Sequence, residues 1–200
     1  MRPRGCRPQE ARNVAAWSVG EALAEGRRAL STRSATAGLD AQLLLAEAIG
    51  VRREHLLAHP NDLLIPEHQT AFVSGLERLV AGEPLPYVLG WWEFYGRRFC
   101  VAPAVLIPRP ETELLIDEAL QVPRLHSDGA RLIDLGTGSG CLAITLALEL
   151  PGRRVLATDV SRQALRVARS NAVLHACQDR VQFLCLDLAT GLELRQAVVL

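Results

Sequence analysis

The segment Asp134-Leu135-Gly136-Thr137-Gly138-Ser139-Gly140 holds the densest chemical signal in the chain. Glycines at alternate positions let a backbone turn sharply and approach a ligand with no Cβ in the way. Asp134 places a carboxylate two residues ahead of the first glycine. The dinucleotide fingerprint G-x-G-x-x-G needs a further glycine at 141, where this chain has Cys141. Asp159 lies 25 residues beyond Asp134, at the end of the apolar run Val155-Leu156-Ala157-Thr158. A carboxylate at such a strand tip is placed to accept hydrogen bonds from both ribose hydroxyls of a nucleoside. Asp187 closes a third apolar run, from Val181 to Leu186. It could accept from the exocyclic amine of adenine, with Leu188 packing on the base; read alone, Asp187 serves equally well as a solvated turn residue.

The elements that must carry these residues alternate in period. A helix over about Glu111–Gln121 is followed by strand Arg131–Leu135, helix Cys141–Leu150, strand Arg154–Thr158, helix Arg162–Leu174 and strand Val181–Leu186. Short apolar strands alternating with helices predict an α/β fold built on a doubly wound parallel sheet. Upstream, from Val14 to Ala81, the pattern is helical and breaks at Gly82-Glu83-Pro84. Asp40 is read as the N-cap of a helix stopped by Gly50, residues 53–58 as a short turn, and Pro66 as the opening of a helix with Phe72, Leu76 and Leu79 on one stripe. From Pro86 to Ile107 the aromatic and β-branched run, broken at Gly96-Arg97-Arg98, predicts a hairpin. Its tryptophans are expected to glue the helical part to the next domain. The expected organisation is a disordered tail over 1–13, a helical bundle over 14–83, a β-hairpin connector over 84–107 and an incomplete Rossmann-like domain over 108–200.

Composition narrows the chemistry. The 22 basic residues balance the 22 acidic ones, and every basic residue is arginine. A chain without lysine has no Walker-type phosphate lysine, Schiff-base lysine or kinase strand lysine. Zero net charge lays down no electrostatic footprint for nucleic acid or an anionic membrane. The five cysteines show no C-x-x-C pair, as in a reduced protein without a disulfide framework or zinc knuckle. No apolar run approaches the roughly 18–20 residues of a membrane span, and the arginine-bearing start lacks an apolar signal region. The cytoplasm is the expected location, and no metal is expected.

The acid-led spacing G-x-G-x-G resembles motif I of the class I S-adenosylmethionine-dependent methyltransferases, whose cofactor carries an ammonium and a sulfonium in place of a pyrophosphate. Ile107-Pro108-Arg109-Pro110-Glu111-Thr112-Glu113 ahead of that turn strongly resembles the release-factor glutamine methyltransferases (PrmC, or HemK). Pro84 to Gly90, the aromatic run from Trp92 to Phe99, and Leu39-Asp40-Ala41-Gln42-Leu43-Leu44 are similar to the same family, so the resemblance covers about residues 14–188. It implies S-adenosyl-L-methionine as cofactor, held by Asp134, Gly136, Thr137, Gly138, Ser139, Gly140, Asp159, Asp187 and Leu188. It also implies a substrate channel beside Pro108, Arg109 and Glu111. Arg109 and Glu111 could equally form an interdomain salt bridge. The implied reaction moves a methyl group to the side-chain amide nitrogen of the glutamine in the Gly-Gly-Gln loop of a class 1 peptide chain release factor. The helical bundle would dock that partner, and a monomer without direct nucleic-acid contacts is expected.

One family feature is not found. The Asn-Pro-Pro-Tyr motif that orients the acceptor amide does not occur in the 200 residues. Ala197 to Leu200 reads either as the start of a fourth strand or as an unrelated tail. The expectation is therefore an N-terminal fragment without an acceptor site and with no catalytic residue to name. Two other readings remain: an amino-methyltransferase with another acceptor such as nucleic acid, and a non-catalytic module that binds a release factor.

Overall fold

Local sequence accounts for the first helices. In the computed structural model, which describes residues 16–123, 131–187 and 197–199, α1 runs over Val19–Leu30 behind a capping box. The Glu21 amide donates to Ser18 Oγ (3.2 Å) and the Ser18 amide to Glu21 Oε2 (2.7 Å), which satisfies two backbone donors that a helix start leaves open. The next two are met from the loop before α4, since Val19 and Gly20 donate to the carbonyls of Asp62 and Pro60. Helix α2 spans Ala37–Ile49, α3 Arg53–Ala58 and α4 Pro66–Val80.

Two sequence expectations need correction here. Helix α2 starts at Ala37 rather than beyond Asp40; Asp40 sits in its first turn, where its carboxylate accepts the hydroxyls of Ser34 (2.6 Å) and Thr36 (3.1 Å). Residues 53–58 form a helix rather than a turn, because Leu56 is buried and holds the segment to the core.

The chain divides into two compact units, through Glu83 and from Pro84. In the first, α1, α2 and α4 pack around Ala22, Leu45 and Phe72, each fully buried. Gly26 makes this possible. A Cβ there would lie 2.8 Å from Ala41 Cβ and 2.9 Å from Phe72 Cζ, so any side chain would force the helices apart.

The second unit opens with the short helix α5, Leu85–Leu89, and the antiparallel pair β1, Trp91–Phe94, and β2, Arg97–Cys100. The expected extended run from Pro86 is thus helical at its start. The reversal falls on Tyr95-Gly96 rather than on Gly96-Arg97-Arg98. Both Tyr95 and Gly96 have positive φ (51° and 68°), the backbone of a two-residue hairpin turn. Tyr95 tolerates it with two anchors: its amide donates to Glu113 and its hydroxyl to Asp117, both at 2.8 Å. Trp91 carries the Arg98 guanidinium 3.7 Å from its ring centre, and Trp92 packs on Val101, Val105 and Ala164. Beyond Cys100 the chain leaves the extended pairing and reaches α6, Pro110–Leu120, with Pro110 at its first turn.

The remaining elements are β3 (Arg131–Leu135), α7 (Cys141–Glu149), β4 (Val155–Asp159), α8 (Arg162–Leu174), β5 (Val181–Cys185) and β6 (Ala197–Val199). The four strands form a parallel sheet in the order β5-β4-β3-β6. Of the two readings of the final residues, the strand is the one realised over Ala197–Val199: β6 pairs with β3, Leu132 opposite Val198. Helix α7 is apolar nearly all round, and its residues from Cys141 to Ala147, the polar Thr145 included, are all buried. With Phe94, Phe99, Ile116 and Val155 it forms the core of the unit. The strand order reverses beside β3: the chain steps outward through β4 and β5, then returns to the other side. A crevice outside the carboxyl ends of the strands at such a reversal is where open α/β sheets bind ligands.

Candidate cofactor site

The glycine turn leads from the carboxyl end of β3 into α7 and is held from within. Gly136 and Thr137 both donate to the Thr158 carbonyl at the end of β4 (2.9 and 2.8 Å), and Gly140 donates to the Thr137 carbonyl (2.8 Å). Gly138 donates to Asp159 Oδ2 (2.9 Å), whose Oδ1 accepts from Ser161 (2.8 Å). The turn is therefore shaped before any ligand arrives, and four of its N–H groups already have partners. Gly136, Gly138 and Gly140 all sit at positive φ. Gly136 meets nothing within 4 Å of where a Cβ would be; Gly140 is closed, its would-be Cβ 3.1 Å from Ala168 Cβ on α8.

Asp134 lies beneath this turn, 3% exposed. Its carboxylate accepts the Thr137 hydroxyl at 2.6 Å and the amide of Ala143 in the first turn of α7. Burial still dominates and pushes the carboxyl up to about 6; the Thr137 and Ala143 bonds act downward, while the nearby Asp159 charge adds to the rise. Thr137 and Ser139 are buried, with 5% and 2% exposure, so in this arrangement they shape the site from inside. The buried Cys141 thiol is pushed up to about 11, chiefly by burial, which keeps it an inert hydrophobe at the start of α7.

Asp134, Thr137, Gly138 and Asp159 are thus brought together by direct hydrogen bonds. Asp187 lies beyond the end of β5, which stops at Cys185 rather than Leu186, and is exposed. The link from β5 to Asp159 is the Leu186 amide, which donates to the Asp159 carbonyl at 3.1 Å. Leu188 falls outside the described residues, as does the tail expected over residues 1–13.

Pro108 is buried, and the segment before it is fixed by the Tyr87 hydroxyl, which donates to the Val105 carbonyl at 2.7 Å. Arg109 and Glu111 are exposed at the start of α6, and neither forms an ion pair among the described residues. No cluster of His, Cys, Asp and Glu suited to a metal ion occurs among the described residues, and no helix there is long and apolar enough to cross a membrane.

One residue of this site escaped the sequence reading. Asn171 of α8 is fully buried; it accepts the Cys100 amide (2.7 Å) and donates to the carbonyls of Cys100 (3.0 Å) and Ser139 (2.8 Å). The signal was in the helix period. Asn171 falls in line with Ala164, Leu165, Ala168 and Ala172 on the buried stripe of α8, and a polar residue there needs partners.

The charges of the arrangement decide which ligands it can accept. One first-turn amide of α7, that of Ala143, is already turned to Asp134, and Asp159 adds a second carboxylate at the turn. A pyrophosphate would face two negative charges. A nucleoside carrying cationic groups would instead neutralise Asp134 and find open lone pairs on both Asp159 oxygens.

Comparison with known proteins gives the same direction. Residues 21–90 match the family model of the PrmC N-terminal domain, and residues 112–199 that of ribosomal protein L11 methyltransferase (PrmA). The release factor glutamine methyltransferase of Chlorobaculum tepidum is 45% identical over 156 residues, covering 74% of this chain and 52% of that protein. That of Koribacter versatilis is 43% identical over 156 residues, 78% and 54% of the two chains. The bifunctional methyltransferase of Rickettsia bellii is 40% identical over 171 residues, 73% of this chain and 31% of that one. The chain spans about half the length of the release factor glutamine methyltransferases it matches. Over about three quarters of its own length the chain is thus similar to release factor glutamine methyltransferases, and its helical part matches the PrmC N-terminal domain.

Proposed function

We propose that this protein serves the transfer of a methyl group from S-adenosyl-L-methionine to the side-chain amide of the glutamine in the Gly-Gly-Gln loop of a class 1 peptide chain release factor. The observation that carries the cofactor half is the buried Asp134, which accepts the Ala143 amide of α7 under a turn whose Gly136, Thr137, Gly138 and Gly140 amides are already engaged. Such a site favours a nucleoside with an ammonium and a sulfonium over one with phosphates. When bound, the cofactor supplies the electrophilic methyl group.

The chain's own residues bind and orient. Asp159 accepts the ribose hydroxyls, Gly136 and Gly138 let the ligand lie against the backbone, and Asp134 balances positive charge. Thr137, Ser139 and Gly140 keep the turn in shape, and Asp187 and Leu188 complete the adenine end. Pro108, Arg109 and Glu111 flank the acceptor channel. An amide nitrogen is a weak nucleophile because its lone pair is delocalised, so rate comes from positioning and preorganised electrostatics. No residue of these 200 is assigned to orienting the amide, since the Asn-Pro-Pro-Tyr motif does not occur among them. The helical unit docks the release factor, the chain acts as a cytoplasmic monomer, and nucleic acid is not a direct partner.

The test uses the chain with a class 1 release factor. Calorimetry is expected to show binding of S-adenosylmethionine and none of a nicotinamide dinucleotide, and immobilised chain is expected to retain the release factor. Methyl label is expected on the intact Gly-Gly-Gln loop alone and not on a Gln→Ala version. Preference for the dinucleotide, or failure to retain the release factor while RNA is retained, would overturn the proposal.

A further inference from the structure

Asn171 joins three parts of the second unit: α8, the end of β2 and the glycine turn. Its carboxamide makes three of the four hydrogen bonds open to it: to the Cys100 amide, the Cys100 carbonyl and the Ser139 carbonyl. The orientation of the amide is dictated by these partners, because the flipped group would set its oxygen against two carbonyl oxygens and its NH2 against an N–H. Ser139 belongs to the glycine turn. Cys100 ends β2 and leads through Val101 and Val105, both buried against α8, to Pro108 and α6. The Gly140–Ala168 approach brings α8 close to the turn from the same side, so Asn171 works on a turn that is already in register with its helix.

We propose that Asn171 is a positioning residue that fixes the distance between the cofactor turn and the segment running to the acceptor channel. It does so by clamping Ser139 and Cys100 to the same side-chain amide. The proposal rests on the cofactor reading, yet the clamp itself is testable without a ligand. For in-line methyl transfer the donor and the acceptor must be held in one geometry, and displacements of about an ångström are felt in rate. A side chain that ties the two walls together sets that geometry without touching either reactant.

Two substitutions separate the arms of the clamp. Asn171→Asp keeps an acceptor for the Cys100 amide and removes both donors, so the turn is released while β2 stays partly held. Asn171→Leu is close in size and removes all three bonds. Val181→Ala, at the opposite end of the sheet from the turn and 4% exposed, is the control for general destabilisation.

Hydrogen exchange on the free protein is expected to show faster exchange of the Gly138 and Gly140 amides in both Asn171 variants. The Cys100 amide speeds up in Asn171→Leu and stays protected in Asn171→Asp. In the unsubstituted protein, adding S-adenosylmethionine slows exchange at the turn and also at Cys100; in Asn171→Leu the effect stops at the turn. The dissociation constant is expected to rise about tenfold, the equivalent of one strong hydrogen bond at about 1.4 kcal/mol.

If Asn171→Leu does not fold, Asn171→Asp alone carries the comparison. Should Val181→Ala reproduce the exchange pattern and the loss of affinity, Asn171 is merely structural and the proposal fails. If the unsubstituted chain binds no S-adenosylmethionine, the cofactor reading fails instead, and unchanged turn amides in the ligand-free variants would then remove the clamp as well.

Discussion

Asp134→Asn offers the most direct test of how the site is built. A carboxyl raised from 3.8 to about 6 retains its proton in the folded chain over a range where the unfolded chain has released it. Folding is therefore favoured by this group below about pH 3.8, and the benefit is lost as pH rises towards 6, above which the folded state carries a buried charge at a cost. A shift of about two pH units, at about 1.4 kcal/mol each, amounts to about 3 kcal/mol to order of magnitude. Asparagine keeps an oxygen for the Thr137 hydroxyl and carries no charge. Denaturant melts from pH 4 to 8 are expected to show stability of the original chain falling through pH 4–6, with the variant lacking that component. At pH 7.5 the variant is expected to be the more stable by about 1–3 kcal/mol. Parallel pH profiles for the two proteins, or a variant less stable at pH 7.5, would show that burial does not govern Asp134.

The same geometry sets the remaining expectations. S-adenosylmethionine affinity is expected to fall about tenfold from pH 7.5 to pH 5 as Asp134 takes up its proton, and to be nearly flat in Asp134→Asn by calorimetry. Gly140→Ala forces a side chain into a left-handed backbone and against Ala168, at about 2–4 kcal/mol. Adding Ala168→Gly should restore only the packing part in a double-mutant cycle, and full restoration would show that the φ of 81° is not a constraint. Gly26→Ala would gain roughly 1 kcal/mol from helix propensity alone. The 2.8 Å approach to Ala41 predicts the opposite sign, a loss of about 1–3 kcal/mol in thermal unfolding.

The chemistry of the turn was legible from residues 134–140 because glycine freedom and strand-to-helix spacing are properties of neighbouring residues. So was the βαβαβ alternation, since periods of two and 3.6 are written along the chain. Local misreadings had local causes. Asp40 resembles an N-cap, but Thr36 starts α2 a turn earlier while Asp40 collects the hydroxyls of Ser34 and Thr36. The hairpin reverses at Tyr95-Gly96 because Glu113 and Asp117, on a different element, hold Tyr95 in a backbone it would not choose alone.

By itself, then, the sequence determined the kinds of element, the glycine turn and the resemblance to the release factor glutamine methyltransferases. Tertiary structure alone decided which donors in that turn were already taken: the Thr158 carbonyl and the Asp159 carboxylate arrive from β4, across the sheet. It also decided that Asp134 is buried deeply enough to shift its titration, and that Asn171 reaches Cys100 and Ser139 at once. The physical reason is common to all three. Desolvation and hydrogen-bond satisfaction depend on what else packs around a group, and those neighbours are distant in sequence until the sheet and its helices close.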